Sequence, residues 1–288
     1  MVDQGKLTSK TCHSHVDPWF IQLCSQARDQ GAKWIHTYHT LYFEEDWDNG
    51  LAEWQKEYNR NLLEVAKNAD VRISVSQWLQ KHLRENYSID SIYIPNGVDV
   101  CICDKADGRR FFKKFPLKDF ILFASGISDI KNPIDFIRLA QSIPEKQFVM
   151  IGRQLSIDAL VEKYGIELPL NLMVIGQMPH EELLDAIAAC RVFVITSRSE
   201  GLPTAVMEAM ALERPVVGSN RFGISEVIHS DEYGYLYNFG SLADLKEKTL
   251  EAWNDTEIGK RARKRVLENY DWNVVIPQID LIYKKIIS

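Results

Sequence analysis

Short runs of apolar, often β-branched residues alternate with longer amphipathic stretches through almost the whole chain. The runs Ala32–Tyr38, Val71–Val75, Ser91–Ile94, Phe120–Ala124, Gln147–Ile151, Leu172–Ile175, Val192–Thr196 and Val216–Ser219 predict strands. Between them, Trp47–Ala69, Asn132–Gln141, Glu181–Ala189 and Thr204–Leu212 predict helices. Alternation of this kind predicts parallel sheets with right-handed crossovers and helices on both faces, an α/β fold. Phe120–Ala124 is apolar without interruption, which suits a strand buried on both sides.

The segment Pro95–Lys118 breaks the pattern. It holds Pro95-Asn96-Gly97, then the apolar-poor Asp104–Arg110, then Pro116 ahead of a new strand. Division there gives an N-terminal domain over residues 1–116 and a C-terminal domain over 117–270. Residues 271–288 predict a terminal helix that docks back toward the N-terminal domain. Its apolar stripe is Val275, Ile279, Ile282 and Ile286, and Pro277 inside the stripe predicts a start or a kink.

Composition narrows the class. At 288 residues the chain suits about two domains. With 45% hydrophobic and 26% charged residues it is ordinary globular material rather than a disordered chain. A net charge of -6 disfavours broad binding to nucleic acid. No apolar run approaches the length of a membrane span, and Met1–Lys6 has no apolar core of a secretory leader. Five cysteines at irregular spacing argue against a disulfide framework and for a reducing compartment. The expected location is the cytoplasm, with peripheral contact to a membrane still open.

The most informative run is Thr196–Met210, TSRSEGLPTAVMEAM. It leaves a buried strand, turns at Gly201 and enters a helix with Pro203 near its start. Glu200 therefore lies in the loop beyond a strand's C-terminal end, and Glu208 about one and a half turns into the helix. In open α/β sheets ligands bind in that crevice. Free backbone N–H groups near Gly201 to Ala205, a stretch that includes Leu202, Pro203 and Thr204, would suit a diphosphate. A carboxylate behind them could accept from a ribose hydroxyl. The other reading is a capped helix carrying two solvated glutamates.

Glu200 and Glu208 bracket seven residues, with Gly201 and Pro203 between them. This resembles the E-x7-E motif of retaining, nucleotide-sugar-dependent glycosyltransferases of the glycogen-synthase-like group. Further segments of that family's pattern follow in order. Pro95–Asp99 resembles its PNGVD element, and Gly126 with Lys131-Asn132-Pro133 its G…KN loop. Phe222–Val227 resembles its GGIPEV turn, and Tyr233–Leu236 its xGxL strand. In the N-terminal half, Thr37-Tyr38-His39 resembles its T-x-H element and His13–Phe20 its HxHdp segment.

The resemblance implies a GT-B fold, with two Rossmann-like parallel-sheet domains facing a cleft. It implies transfer of a sugar from a nucleotide-diphosphate donor, with retention of anomeric configuration and without a metal or other cofactor. Glu208 would hold the ribose hydroxyls, and Glu200 would lie against the donor sugar. Lys131 would neutralise the diphosphate as the glycosyl bond breaks. Gly126 and Asn132 would complete the donor loop, and His39 would face the donor sugar. The donor's phosphate serves as base in such enzymes, so no glycosidase-like carboxylate pair is required. The acceptor would be a glycan, a lipid-linked sugar or a small molecule.

Two positions depart from that pattern. Ile127 stands where the family has an arginine, and losing one charged contact costs roughly 1.5–3 kcal/mol. Arg153, which follows Gly152 at a strand end, or Arg198 could supply the charge. The second departure lies ahead of His13. The family's opening strand and Gly-rich loop have no counterpart there, where Gly5 is the only glycine before Gly31. A truncated N-terminal domain of four strands is therefore expected. The alternative function follows from it: a non-catalytic or split nucleotide-sugar-binding subunit that needs a partner chain for turnover.

Other clusters admit plainer readings. Cys12, His13 and His15, or Cys101 and Cys103, lack the paired spacing of a structural zinc site. The stretch Tyr38–Trp54 reads either as an acceptor platform or as a loop packed beneath a helix. Lys56, Arg60, Lys67, Lys81 and Arg84 could meet anionic lipid. Glu53, Glu57 and Glu64 between them favour a solvated, ion-paired face.

Overall fold

The structure, a computed structural model, describes residues 10–287 and the backbone alone of residues 2–3 and 6–7. Met1, Gln4 and Gly5, which entered the reading of the N-terminus, lie outside the described residues. Val2–Asp3 (β1) and Lys6–Leu7 (β2) form a short antiparallel pair. The chain then divides into two compact units, one running to Asn96 and including the segment from Asn273, the other spanning Gly97–Trp272.

The first unit holds a four-stranded parallel sheet in sequence order. Its strands are β3 (Thr11–Ser14), β4 (Lys33–Tyr38), β5 (Val71–Ser74) and β6 (Ile92–Tyr93). Helices α1 (Pro18–Asp29), α2 (Glu53–Arg60) and α3 (Gln77–Tyr87) connect them. Strand alternation sorts the side chains of β4. Trp34 and Tyr38 join Ile21, Leu62 and Leu79 in one core, while Ile35 joins Ile73 and Ile94 in another. The predicted helix over Trp47–Ala69 is shorter in fact: after α2 the chain loosens into a π turn over Asn61–Val65 and a 3-10 turn over Ala66–Asn68.

The second unit is built on a six-stranded parallel sheet in the order β12-β11-β10-β7-β8-β9. These are β7 (Phe120–Ala124), β8 (Gln147–Ile151), β9 (Leu172–Ile175), β10 (Val192–Ile195), β11 (Val216–Ser219) and β12 (Tyr235–Tyr237). Phe120 to Phe123 are fully buried, as the uninterrupted apolar run required. Strands after β7 build outward first on one side and then, from β10, on the other, so the order reverses between β7 and β10.

Among the described residues, nine α-helices lie in this unit. Two are α4 (Val100–Cys103) and α5 (Gly108–Lys114), and five more are α6 (Pro133–Ser142), α7 (Ile157–Tyr164), α8 (His180–Ala189), α9 (Thr204–Ala211) and α10 (Phe222–Ile228). The last of the unit are α11 (Leu242–Asn254) and α12 (Ile258–Asn269), after which α13 (Trp272–Ile287) returns to the first unit.

The structure divides the chain after Asn96 rather than at residue 116, because the apolar-poor segment is not a linker. It forms α4 and α5, and α5 is tied to α8. Arg110 donates twice to Asp185 (2.6 and 2.7 Å), the amide of Asp107 donates to the same carboxylate (2.8 Å), and Lys114 pairs with Glu182 (2.8 Å). Gly108 permits the approach: a Cβ there would lie 2.9 Å from the Ala189 Cα. Gly97 is required for a similar reason, since its Cβ would fall 2.5 Å from the Trp272 ring. Helix α13 runs through Pro277 without starting there, and its Val275 and Ile282 are buried against Ile35, Ile73 and Ile94.

Candidate functional site

The reversal of strand order sets where the second unit can bind a ligand, because loops leaving β7 and β10 part in opposite directions there. The loop after β7 carries Gly126, Ile127 and Lys131; the loop after β10 carries Thr196–Gly201. The structure brings them together. Lys131 Nζ donates to Glu200 Oε1 at 2.6 Å, and Ser197 Oγ donates to the same oxygen at 2.7 Å.

Asn132 makes that meeting possible. It sits in the left-handed region (φ 49°), ending a 3-10 turn at Lys131 just before Pro133 opens α6. Its buried amide donates to Asp135 (2.6 Å) and to the Thr196 carbonyl (3.2 Å), while Thr196 Oγ1 donates back to the Asn132 carbonyl (2.8 Å). Asn132 therefore clamps the two loops and aims Lys131; its own side chain is not presented to solvent. The amide of Arg198 adds a bond to the Ile130 carbonyl (2.7 Å).

Glycines hold the remaining backbone close. A Cβ on Gly152 would meet the Ser125 carbonyl oxygen at 1.8 Å, so the ends of β7 and β8 press together beside Gly126. Gly223 donates its N–H to the Glu200 carbonyl (3.1 Å), and a Cβ there would lie 2.0 Å from the Gly201 oxygen. Gly201, Leu202 and Pro203 are buried, forming the turn into α9, whose first residue Thr204 is exposed.

Glu208 stands apart from the Lys131–Glu200 pair. Its Oε1 lies 2.7 Å from His180 Nε2, and burial pushes its carboxyl above the usual range while His180 works against that rise. Arg153 is exposed and meets the Gly126 loop through its backbone: its carbonyl accepts from Ile127 N at 3.4 Å. Ile127 itself packs against the main core, which accounts for an apolar side chain at that position. A cation that the sequence did not point to reaches the loop instead: Lys163 of α7, 2.8 Å from Asp129.

His39 belongs to the first unit, where it ends β4 among other histidines. Its Nε2 lies 2.9 Å from His15 Nδ1, and His15 stacks on His13 with centroids 4.4 Å apart. His13 is fixed by Thr37 (2.7 Å) and by Tyr283 of α13 (2.8 Å). Burial, followed by the charge of neighbouring rings, pushes His13 and His39 down to about 4.

Among the described residues no cluster of histidine, cysteine or acidic side chains is arranged to hold a metal. In the aromatic loop, Tyr42 packs edge-on against Trp47, Trp54 and Tyr58, although Trp54 remains 60% exposed. Lys56 and Lys81 pair with Glu53 and Glu85 along their helices, as a solvated face does. Among the described residues no helix is long and apolar enough to cross a membrane.

Sequence reasoning missed His180 and Lys163. The signal for His180 was its place: the first helical residue after a parallel strand, on the edge where such sheets bind.

The two parallel-sheet α/β units match the GT-B glycosyltransferase structures. Sucrose-phosphate synthase from Thermosynechococcus elongatus superposes with a TM-score of 0.82 at 22% identity, covering 96% of this chain and 73% of that one. The Anabaena HepE protein, solved with UDP-glucose, superposes at 0.80 and 18%, covering 96% and 79%. The model of the glycosyl transferases group 1 matches residues 104–269, and that of glycosyltransferase family 4 matches residues 11–101. The chain belongs to the glycosyl transferases group 1.

Among relatives, an uncharacterised glycosyltransferase of Methanocaldococcus jannaschii is 26% identical over 76% of this chain and 60% of its own length. The N-acetyl-alpha-D-glucosaminyl L-malate synthase of Bacillus anthracis is 23% identical over 75% and 59%. The chain thus spans about three fifths of the length of these relatives.

Proposed function

We propose that this protein transfers a sugar from a nucleotide-diphosphate donor to an acceptor hydroxyl, with retention of configuration and without a metal ion. The observation that carries this reading is the meeting of Lys131 and Glu200 at the strand-order reversal, beside the start of α9. In this reading Lys131 and Glu200 neutralise one another. A bound donor replaces that pair: Lys131 turns to the diphosphate, and Glu200 is released toward the sugar. As the glycosyl bond breaks, negative charge grows on the diphosphate, and a preorganised cation there stabilises the transition state more than the ground state. The backbone N–H groups of the first turn of α9 add to the same field. Glu208 takes the ribose.

The acceptor class remains a glycan, a lipid-linked sugar or a small molecule, and the solved HepE complex with UDP-glucose supports a nucleotide sugar as donor. All five cysteines are free thiols, which supports a cytoplasmic setting.

The test is thermal unfolding with UDP, GDP and ADP in turn. A ligand at about one hundred times its dissociation constant adds about 2.7 kcal/mol. Stabilisation by one of the three, absent in Glu208→Ala, is expected; stabilisation by none refutes the donor site. Release of nucleoside diphosphate from the matching nucleotide sugar, lost in Glu200→Ala, is then expected of the isolated chain. Binding without release would make it a donor-binding subunit that needs a partner chain.

A further inference from the structure

Glu208 has a partner that no motif announced. His180 Nε2 approaches its Oε1 to 2.7 Å, and the two come from different elements: Glu208 from the second turn of α9, His180 from the first position of α8. The glutamate side chain is 13% exposed and the histidine 57%, so a shielded carboxylate has an imidazole standing over it on the solvent side. Cys103 of α4 is a buried thiol pushed up to about 12, first by burial and then by the charges of Glu208, Asp104 and Asp99. His180 is the basic group that acts on this carboxylate.

A carboxylate free to rotate reads a vicinal diol poorly, because two hydroxyls at fixed separation require the acceptor lone pairs to be held in place. An N–H donated to Oε1 fixes that rotation. It also favours the ionised form that burial opposes. Oε2 and the remaining lone pair of Oε1 are left as acceptors. His180 Nδ1, on the far side of the ring, takes no part.

We propose that His180 is a positioning residue for nucleotide recognition: by donating to Glu208 Oε1 it holds the carboxylate as an acceptor for the ribose hydroxyls, and so makes the site select ribonucleoside over deoxyribonucleoside diphosphates. The inference rests on the reading of Glu208 as the ribose residue. His180 touches no reacting atom in this scheme; it acts through Glu208.

Calorimetric titration tests it, using whichever of UDP, GDP and ADP binds, together with its 2′-deoxy and 3′-deoxy forms. The proteins are the wild type, His180→Ala, His180→Gln and Glu208→Ala. The wild type should favour the ribonucleotide. His180→Ala should bind the ribonucleotide about tenfold more weakly while deoxy forms change little, so that the preference collapses. His180→Gln, whose amide can donate from nearly the same place, should recover part of it. A purely structural role for His180 would instead weaken all the nucleotides together, and that result overturns the inference. So does an unchanged preference in His180→Ala. If Glu208→Ala loses the preference in either case, the reading of Glu208 still stands. A folded Glu208→Ala that keeps the preference refutes that reading and the inference with it, as does a wild type that binds none of the three nucleotides.

Discussion

Acid should loosen the first unit before it touches most carboxylates. His13 and His39 titrate near 4 in the fold instead of 6.5, chiefly because burial penalises their charged forms, then because each faces other rings. His13 feels His15 and His39, and His39 feels His15. His36 is buried beside Ser14 and Tyr38 and is lowered by burial and by the other three rings. An imidazole depressed in the folded state leaves the unfolded chain binding more protons between about pH 4 and 6.5. Stability is therefore present above that window and is lost as pH falls through it. One ring moved from 6.5 to about 4 removes about 2 kcal/mol between pH 7 and pH 5, and about 3 kcal/mol below both values. The loss in this unit should be at least that of one ring. Amide exchange of the β3 and β4 segments in urea, corrected for intrinsic rates, reads this unit separately from the other. The unfolding midpoint of those segments should fall between pH 7 and pH 5, and the fall should flatten in a His13→Gln/His39→Gln variant. A midpoint that holds or rises, or an equal slope in the double variant, refutes the argument.

Three substitutions probe the second unit. Gly223→Ala places a methyl 2.0 Å from the Gly201 oxygen and 2.8 Å from that of Glu200, so the loop must move. A loss of about 1–3 kcal/mol in thermal unfolding is expected, with nucleotide binding lost alongside it. Arg110→Ala strips Asp185, whose side chain is 9% exposed, of its bidentate partner and leaves α5 tied to α8 by the Asp107 amide and the Lys114–Glu182 pair. A lower midpoint is expected by denaturant titration, and an unchanged midpoint would show that the pair behaves as a surface bridge. Ile127→Arg should tighten nucleoside diphosphate binding by roughly tenfold, at a cost of about 1 kcal/mol in stability for the apolar contact it gives up. Weaker binding in calorimetry would mean that the loop does not face the diphosphate.

Much of the C-terminal half was legible because its strands are apolar runs with β-branched residues and its turns are marked by glycine and proline. β3 was missed as a strand for the opposite reason. It reads Thr-Cys-His-Ser, and only Cys12 and Ser14 turn inward. The segment 104–110 looked like a linker because its charges and lack of apolar residues are what linkers show. Asp185 and Glu182, far along the chain, are what turn Arg110 and Lys114 into docking groups.

By itself, the sequence determined the α/β class, the positions of Glu200, Glu208 and Lys131 at strand ends or helix starts, and the family resemblance. Those follow from local periodicity and spacing, which a linear chain records in full. Only the tertiary structure decided that Lys131 pairs with Glu200 and that Glu208 answers to His180, across separations of 69 and 28 residues. It alone placed the loops of β7 and β10 side by side. The strand order that does so is set by which buried faces pack together, and that is a property of the whole sheet rather than of any segment within it.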